Sequence, residues 1–331
     1  MITFVIPVYN EAQTLEALTA GIHDHIGNRE YGILYIDDGS TDDSWKVLLA
    51  LHDNSPQVEI IRLRRNFGKT AALSLGFAIA KSDIVITMDA DLQDDPAEIP
   101  NILAKFEEGY DIVCGWKQRR NDPWHKTFPS RIFNAWIAHT FKLPLHDVNT
   151  GFKAIRGTVA EQLPLWSDMH RLIPVFGAHM GYKVTEIPVK HHPRKFGHSK
   201  YGVERFFRGA VDAVTAKFLT RYGNSPGQYF GRMMLFCISL VGMSFAVSLC
   251  AAFIVPPLYG DLPYSEQLIL TVMVMLATIT SLVIIGIGAI GFGLGLLGEL
   301  ILRQLPAPNP RQYIAESHTT RYMVFDEDNS E

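Results

Sequence analysis

Two stretches of this chain, Met233–Val255 and Leu268–Gly298, contain no charged side chain. Each exceeds the roughly 20 apolar residues needed to cross a hydrocarbon core. In lipid, a single segment must pair its backbone polar groups internally, so both stretches are restricted to helix. They predict a transmembrane hairpin within residues 226–300, with spans at about 233–255 and 271–298. Arg221 and Arg232 precede the first span and Arg303 and Arg311 follow the second, whereas the connecting Pro256–Gln267 carries only Asp261 and Glu266. Cationic flanks stay in the cytoplasm, which predicts a multi-pass protein of the inner (cytoplasmic) membrane with both termini and the large N-terminal portion cytoplasmic. Gly291 and Gly295 have the GxxxG spacing of closely packed helices, which suits a homo-oligomer, dimer or tetramer.

Residues 1–200 have a different pattern. Apolar runs at Thr3–Val8, Gly32–Ile36, Val58–Leu63, Asp83–Met88 and Asp111–Cys114 alternate with helical patterns beginning at Glu11, Asp42, Thr70 and Pro96. Such alternation predicts an α/β fold, a mainly parallel sheet with helices on both faces. In these sheets ligands lie beyond the carboxyl ends of the strands, and those ends are polar. They carry Pro7, Tyr9, Asn10 and Glu11; then Asp37, Asp38, Gly39 and Ser40; then Arg64, Arg65, Asn66, Gly68 and Lys69; and finally Asp89–Asp95. Some of this reads as capping: Asn10 with Gln13, and Ser40 or Thr41 before the second helix. Asp95, Pro96 and Glu98 read as N-cap, first helical residue and capping-box partner.

The acidic stretch follows its strand without a break. If the chain stays extended past Met88, Asp89, Asp91 and Gln93 share one face. Three hard oxygen donors there suit Mg²⁺ or Mn²⁺, with phosphate oxygens completing the shell. Other chemistries are excluded. Gly68-Lys69-Thr70 has the tail of a P-loop, but Leu63 occupies the position that requires glycine. No glycine fingerprint follows the first strand, and Cys114, Cys237 and Cys250 are too dispersed for a disulfide framework or a zinc site. A net charge of −4 argues against a general nucleic-acid binder. The N-terminus lacks a basic n-region, so no signal peptide is expected.

Phe4-Val5-Ile6-Pro7-Val8-Tyr9-Asn10-Glu11, Ile36-Asp37-Asp38-Gly39-Ser40-Thr41-Asp42, Arg65-Asn66-Phe67-Gly68-Lys69 and Asp89-Ala90-Asp91-Leu92-Gln93 together resemble family 2 glycosyltransferases of GT-A fold. Asp147–Lys153, His170–Pro174 and Arg194–Gly202 resemble the polyprenyl-phosphate branch of that family. The resemblance implies a membrane enzyme that moves a sugar, with inversion, from a nucleotide diphosphate (UDP favoured over GDP) to polyprenyl (undecaprenyl) phosphate. It places the nucleotide sugar among Pro7, Tyr9, Glu11, Asp37, Asp38, Asn66, Lys69 and Asp89, with Asp37 or Asp38 on the nucleoside. Asp91, with Asp89 and Gln93, would hold the metal. If the reaction uses a general base, Asp147 and Asp168 are the candidates, and each could instead orient a basic residue. Asn149-Thr150-Gly151 departs from the Asn-Cys-Gly of many relatives, so the sugar is not inherited from the resemblance. The alternatives are an inactive membrane scaffold of a glycan exporter and a polysaccharide synthase; for the latter the chain lacks a Gln-x-x-Arg-Trp pattern.

Cationic segments complete the expectation. Residues 117–142 are rich in Lys, Arg, Trp and Phe, and the resemblance lays them over the active site. A helix from Phe128 to His139 would turn Arg131 to a phosphate while Ile132, Trp136 and Phe141 pack. Arg194 and Lys200, in a loop with four actual or potential cations, would bind the acceptor phosphate with Arg131. Residues 201–225 have helical apolar spacing with a basic polar face, which suits a juxtamembrane helix on anionic headgroups. Residues 301–331 are expected to be a cytoplasmic tail, without a recognisable motif from Ala315 onward.

Overall fold

A computed structural model of the chain describes residues 1–118, 124–193, 204–223, 225–258, 263–304 and 313–319. Its elements run β1 (Ile2–Val8), α1 (Leu15–His25), β2 (Tyr31–Asp37), α2 (Ser44–Asn54), β3 (Val58–Leu63), α3 (Lys69–Ile79) and β4 (Ile84–Thr87). There follow α4 (Ile99–Glu107), β5 (Ile112–Trp116), α5 (Trp124–Phe141), β6 (Lys153–Arg156), α6 (Gly157–Gln162), α7 (Ile173–His179) and β7 (Val184–Pro188). The last are α8 (Glu204–Tyr222), α9 (Pro226–Leu258), α10 (Tyr264–Gln304) and β8 (Ile314–His318). They form two units, Met1–Ala216 with Ala307–Glu331, and Lys217–Pro306.

The first unit is built on an eight-stranded sheet of order β7-β5-β6-β4-β1-β2-β3-β8. Strands β4, β1, β2 and β3 are mutually parallel, while β6 runs antiparallel to both β4 and β5. The chain builds outward from β1 through β2 to β3, then crosses back to place β4 on the other side of β1. That reversal is a topological switch point, where the loops at the strand ends diverge and leave a crevice. Two apolar clusters cover the two faces. One gathers Leu34, Ile36, Leu75, Phe77, Ile155 and Phe176, and the other Phe4, Ile6, Leu18, Tyr35, Ile99 and Phe152. Near-continuous burial along β1, β2 and β3 explains why these strands are apolar runs rather than alternating ones.

Several local expectations are corrected. Asn10 does not cap α1; it has a left-handed φ of 54° and accepts from the Thr41 N–H, so it joins two loops instead. Neither Ser40 nor Thr41 caps α2: Ser40 Oγ accepts from the Asn10 N–H, and Asp42 accepts from the Ser44 N–H. Asp95 does cap, accepting from the Ala97 N–H, but it opens a short 3₁₀ turn. Glu98 is turned away from the capping box to accept from the Lys190 N–H and the Asn101 amide. Among the described side chains of α5, Asn134 and Ile137, three residues apart, are buried and Phe141 packs as expected, whereas Ile132 and Trp136 are exposed rather than packed. The core also receives α8, whose Ala213 and Ala216 join an apolar cluster while Asp212 accepts from Ser167 Oγ. Packing on its own domain therefore holds for that face of α8, and Val211 remains exposed.

In the second unit α9 and α10 have 33 and 41 residues. Segments Gln228–Ala246 and Ser265–Gly298 are long and apolar enough to cross a membrane. Large side chains such as Leu235, Phe245, Ile284 and Ile287 are exposed along them, a surface that water does not tolerate over such an area. Gly293 faces α9, where a Cβ would lie 3.0 Å from Phe230, whereas Gly291 and Gly295 have no atom within 4 Å among the described residues.

Candidate active site

The loops after β1, β2 and β3 are interlocked. Asn10 and Ser40 bond as above, and Ser44 Oγ accepts from the Glu11 N–H. Asp38 binds the third loop with both oxygens, accepting from the Phe67 N–H (2.7 Å) and the Gly68 N–H (2.8 Å). Gly39 has φ +71°, and a Cβ there would lie 2.6 Å from the Arg65 carbonyl carbon, so the second turn rests directly on the third loop. Asp37 is fully buried; it accepts from the Ser40 N–H and pairs with Arg62 at 3.3 Å. Burial raises the Asp37 carboxyl, with Ser40 and Arg62 opposing, and pushes Asp38 up to about 6 against its two N–H bonds. The two acids thus shape the strand-end floor on which Pro7, Tyr9, Glu11, Asn66 and Lys69 are carried.

On the other side of the switch point the chain does not stay extended. Strand β4 ends at Thr87 and Leu92 has a left-handed φ of 57°, so the shared face expected of Asp89, Asp91 and Gln93 is lost. Asp89 pairs with Lys69, Asp91 accepts from the Gln93 N–H at 3.2 Å, and the Gln93 amide donates to the His192 carbonyl at 3.4 Å. Among the described residues no three His, Cys, Asp or Glu side chains converge as metal ligands. The two remaining carboxylates are still hard donors at one strand end, the chemistry a divalent cation takes. Gly151 matters here, because a Cβ on it would lie 2.6 Å from Asp89 Oδ2; only glycine leaves that carboxylate room.

Lysines surround Asp89. Burial would raise its carboxyl, but Lys69, Lys117 and Lys153 outweigh burial and hold it well below the usual carboxylate range. Lys153 arrives because β6 runs antiparallel to β4, opposite Thr87, and its buried ammonium donates to the Thr150 carbonyl. Burial, followed by the nearby Lys69, lowers Lys153. Lys117 follows β5 directly and pairs with Asp94 at 3.0 Å. Burial would lower Lys117, but Asp94, Asp89 and Asp147 raise it. Asp147 is itself buried and accepts from the Asn134 amide at 3.0 Å, with its N–H donating to Glu186. His170 is hydrogen-bonded to Thr70 at 2.7 Å; burial first, then Lys69, keeps it well below its ordinary value, hence neutral.

The structure therefore brings Lys69, Asp89 and Asp147 into one charged cluster and turns Gln93 aside. Arg131 lies on α5 with its side chain outside the described residues, and Arg194 and Lys200 lie outside them altogether. Lys117, Lys153 and Gly151 are not among the site residues expected from sequence, and Asp94 enters there only as part of the acidic stretch Asp89–Asp95, without a role. A lysine opening an otherwise apolar strand, as in Lys153-Ala154-Ile155, is a signal that could have found one of them.

Residues 3–163 match the family described as glycosyl transferase family 2. The chain is 30% identical over 309 residues to a dodecaprenyl-phosphate galacturonate synthase of Rhizobium johnstonii, covering 91% of this chain and 88% of that protein. It is 34% identical over 306 residues to an undecaprenyl-phosphate 4-deoxy-4-formamido-L-arabinose transferase of Edwardsiella ictaluri, covering 91% and 89%. In fold it is similar to glucosyl-3-phosphoglycerate synthase of Mycobacterium tuberculosis. A complex of that protein with Mn²⁺, UDP and phosphoglyceric acid superposes with a TM-score of 0.53 at 16% identity, over 66% of this chain and 78% of that one. A GT-A sheet with its charged crevice at the β1/β4 switch point agrees with these likenesses, and the chain belongs to glycosyl transferase family 2.

Proposed function

We propose that this membrane protein transfers a sugar from a nucleotide diphosphate onto a polyprenyl phosphate, undecaprenyl phosphate being the acceptor to test first. The observation that carries the reading is Asp89 kept ionised among Lys69, Lys117 and Lys153 at the switch point, a site for two phosphate-bearing substrates. The names of both relatives, each a transferase or synthase of a polyprenyl-phosphate sugar, support the acceptor class. UDP is the favoured nucleotide, as in the fold relative's complex. Both termini are assigned to the cytoplasm by the cationic flanks of the spans.

In the reaction an oxygen of the acceptor phosphate attacks the anomeric carbon, and the bond from that carbon to the diphosphate oxygen breaks. The nucleoside diphosphate leaves with the electron pair, and a single displacement inverts the anomeric centre. Asp89 and Asp91 would hold a divalent cation, which supplies positive charge to the departing diphosphate. Gln93 would join them through its amide oxygen, its amide nitrogen being the atom that donates to the His192 carbonyl. Lys69 and Lys117 place further cationic charge at the same end of the sheet, where low solvent access strengthens it. A phosphate monoester loses its second proton near pH about 6, so the acceptor is mostly a dianion at neutrality and needs little base catalysis. Asp147, buried and held by Asn134, is better placed to orient Lys117 and Lys153 than to abstract a proton. Arg131, Arg194 and Lys200 are assigned to the acceptor phosphate. The test is incubation of the detergent-solubilised protein with undecaprenyl phosphate and a panel of nucleotide sugars, followed by lipid mass analysis. A glycolipid from one of them supports the reading, and none from any overturns it.

A further inference from the structure

The tail strand β8 returns to the catalytic sheet after the second apolar helix and begins beside the loop bound by Asp38. It runs antiparallel to β3, pairing Ile60 with His318, Ile61 with Ser317, Arg62 with Glu316 and Leu63 with Ile314, with a register shift between Arg62 and Leu63. Pairing continues past the end of β3 into the next loop. The Arg64 N–H donates to the Tyr313 carbonyl at 2.9 Å, and Arg64 Nε donates to the Ile314 carbonyl at 3.2 Å. The Tyr313 and Phe67 rings pack with centroids 4.5 Å apart, and the Arg65 guanidinium lies 4.2 Å from the Phe67 centroid. Phe67 in turn gives its N–H to Asp38. A second line reaches Asp37: His318 packs on Trp45 at 6.1 Å, Trp45 underlies Arg62 at 5.4 Å, and Arg62 pairs with Asp37. Asp37, the last residue of β2, and Asp38, the next, are therefore each joined to β8 through neighbours in direct contact.

We infer that Tyr313 and the strand it opens are a positioning element of the donor-nucleotide subsite, fixing the Arg64–Lys69 loop from behind. This rests on the reading that the interlocked loops hold the nucleotide. An edge strand that merely covers β3 would protect the sheet from unwanted pairing. Such a cover does not require the aromatic contact from Tyr313 to Phe67, which lies beyond the ladder. Asp38 and the turn at Gly39 hold this loop from one side, and the Tyr313 ring meets Phe67 of the same loop from another. A loop that must present Asn66 and Lys69 in one geometry gains affinity from being ordered before the ligand arrives.

The experiment measures UDP binding, with Mn²⁺ present, and acceptor dependence in the full-length detergent-solubilised protein. Tyr313→Ala is expected to weaken UDP binding about tenfold, equivalent to about 1.4 kcal/mol, while the KM for undecaprenyl phosphate stays within twofold. Tyr313→Phe is expected to restore wild-type UDP affinity, because the ring and not the hydroxyl meets Phe67. Asp38→Asn is the companion variant. If it weakens UDP binding and Tyr313→Ala does not, the inference about the tail is overturned and the nucleotide reading stands; if neither has an effect, both are overturned. Hydrogen exchange of the wild-type chain gives an answer even where a variant does not fold. UDP is expected to protect the amides of 64–69 and of 313–318 together, and protection confined to 64–69 overturns the inference.

Discussion

Lys117 and Asp94 form a 3.0 Å ion pair whose carboxylate is completely buried, and neither carboxylate oxygen receives a hydrogen bond from another group among the described residues. The carboxylate depends on one ammonium, and that ammonium also faces Asp89 and Asp147. Asp94→Asn is expected to cost about 3–5 kcal/mol of stability, as for other buried pairs broken on one side. The double variant Asp94→Asn with Lys117→Met is expected to regain much of that loss but not the activity, since the cation beside Asp89 is gone. Thermal unfolding and transfer rate measured on the same three proteins check this. A fully active double variant contradicts a role for Lys117 in the reaction.

Asp91→Asn keeps the shape of the side chain and removes the charge that holds a divalent cation. Transfer is expected to vanish, and chelation of the wild-type protein with EDTA is expected to mimic the variant. Asp95→Asn, at the cap of the 3₁₀ turn, retains an acceptor for the Ala97 N–H and is expected to keep most of the activity. Transfer by Asp91→Asn in excess EDTA at the wild-type rate contradicts the metal assignment.

Asp38 makes stability and donor binding depend on pH in opposite senses. Its folded-state value, about 6, lies above the ordinary 3.8, so the folded protein holds an extra proton between them. The contribution of Asp38 to stability is therefore full below about pH 4 and is lost as pH rises through about 6. Relative to Asp38→Asn, the wild-type protein is expected to lose melting temperature across that window. Donor binding runs the other way: a protonated carboxyl accepts from the Phe67 and Gly68 N–H groups more weakly than a carboxylate does, so nucleotide affinity is expected to fall as pH drops through about 6. Unfolding and UDP titrations between pH 4.5 and 7.5 test both, and a melting-temperature gap that is flat with pH contradicts the first.

Gly151→Ala is expected to abolish transfer with little change in overall fold, because the new methyl would push the Asp89 carboxylate away from Lys69. Activity and the far-ultraviolet circular dichroism of the variant decide it. A variant with wild-type turnover contradicts the requirement for a glycine beside Asp89.

The parallel strands were legible because an apolar run is local information: β3 occupies Val58–Leu63 as read, and β2 covers the run read at Gly32–Ile36. Their carboxyl ends therefore marked the right loops. Polar side chains were less legible, since Asn10 and Ser40 are chemically able to cap their own helices and only tertiary contact directs each to a backbone N–H of the other's loop. The turn at Leu92, a left-handed residue with no glycine to announce it, hid the loss of the shared strand face. Lys117 and Lys153 are buried by acids distant in sequence, and β8, with Glu316, Ser317 and His318, has neither alternation nor an apolar run and exists only against β3.

The central claim concerns which bond breaks, and one measurement bears on it most directly. Purified protein is given undecaprenyl phosphate and the nucleotide sugar selected from the panel, and lipid and nucleotide products are quantified together by mass. The account predicts one glycosyl residue added per lipid phosphate, with an equimolar release of nucleoside diphosphate. Release of nucleoside monophosphate with a sugar phosphate on the lipid, or nucleotide release without any lipid product, would contradict it.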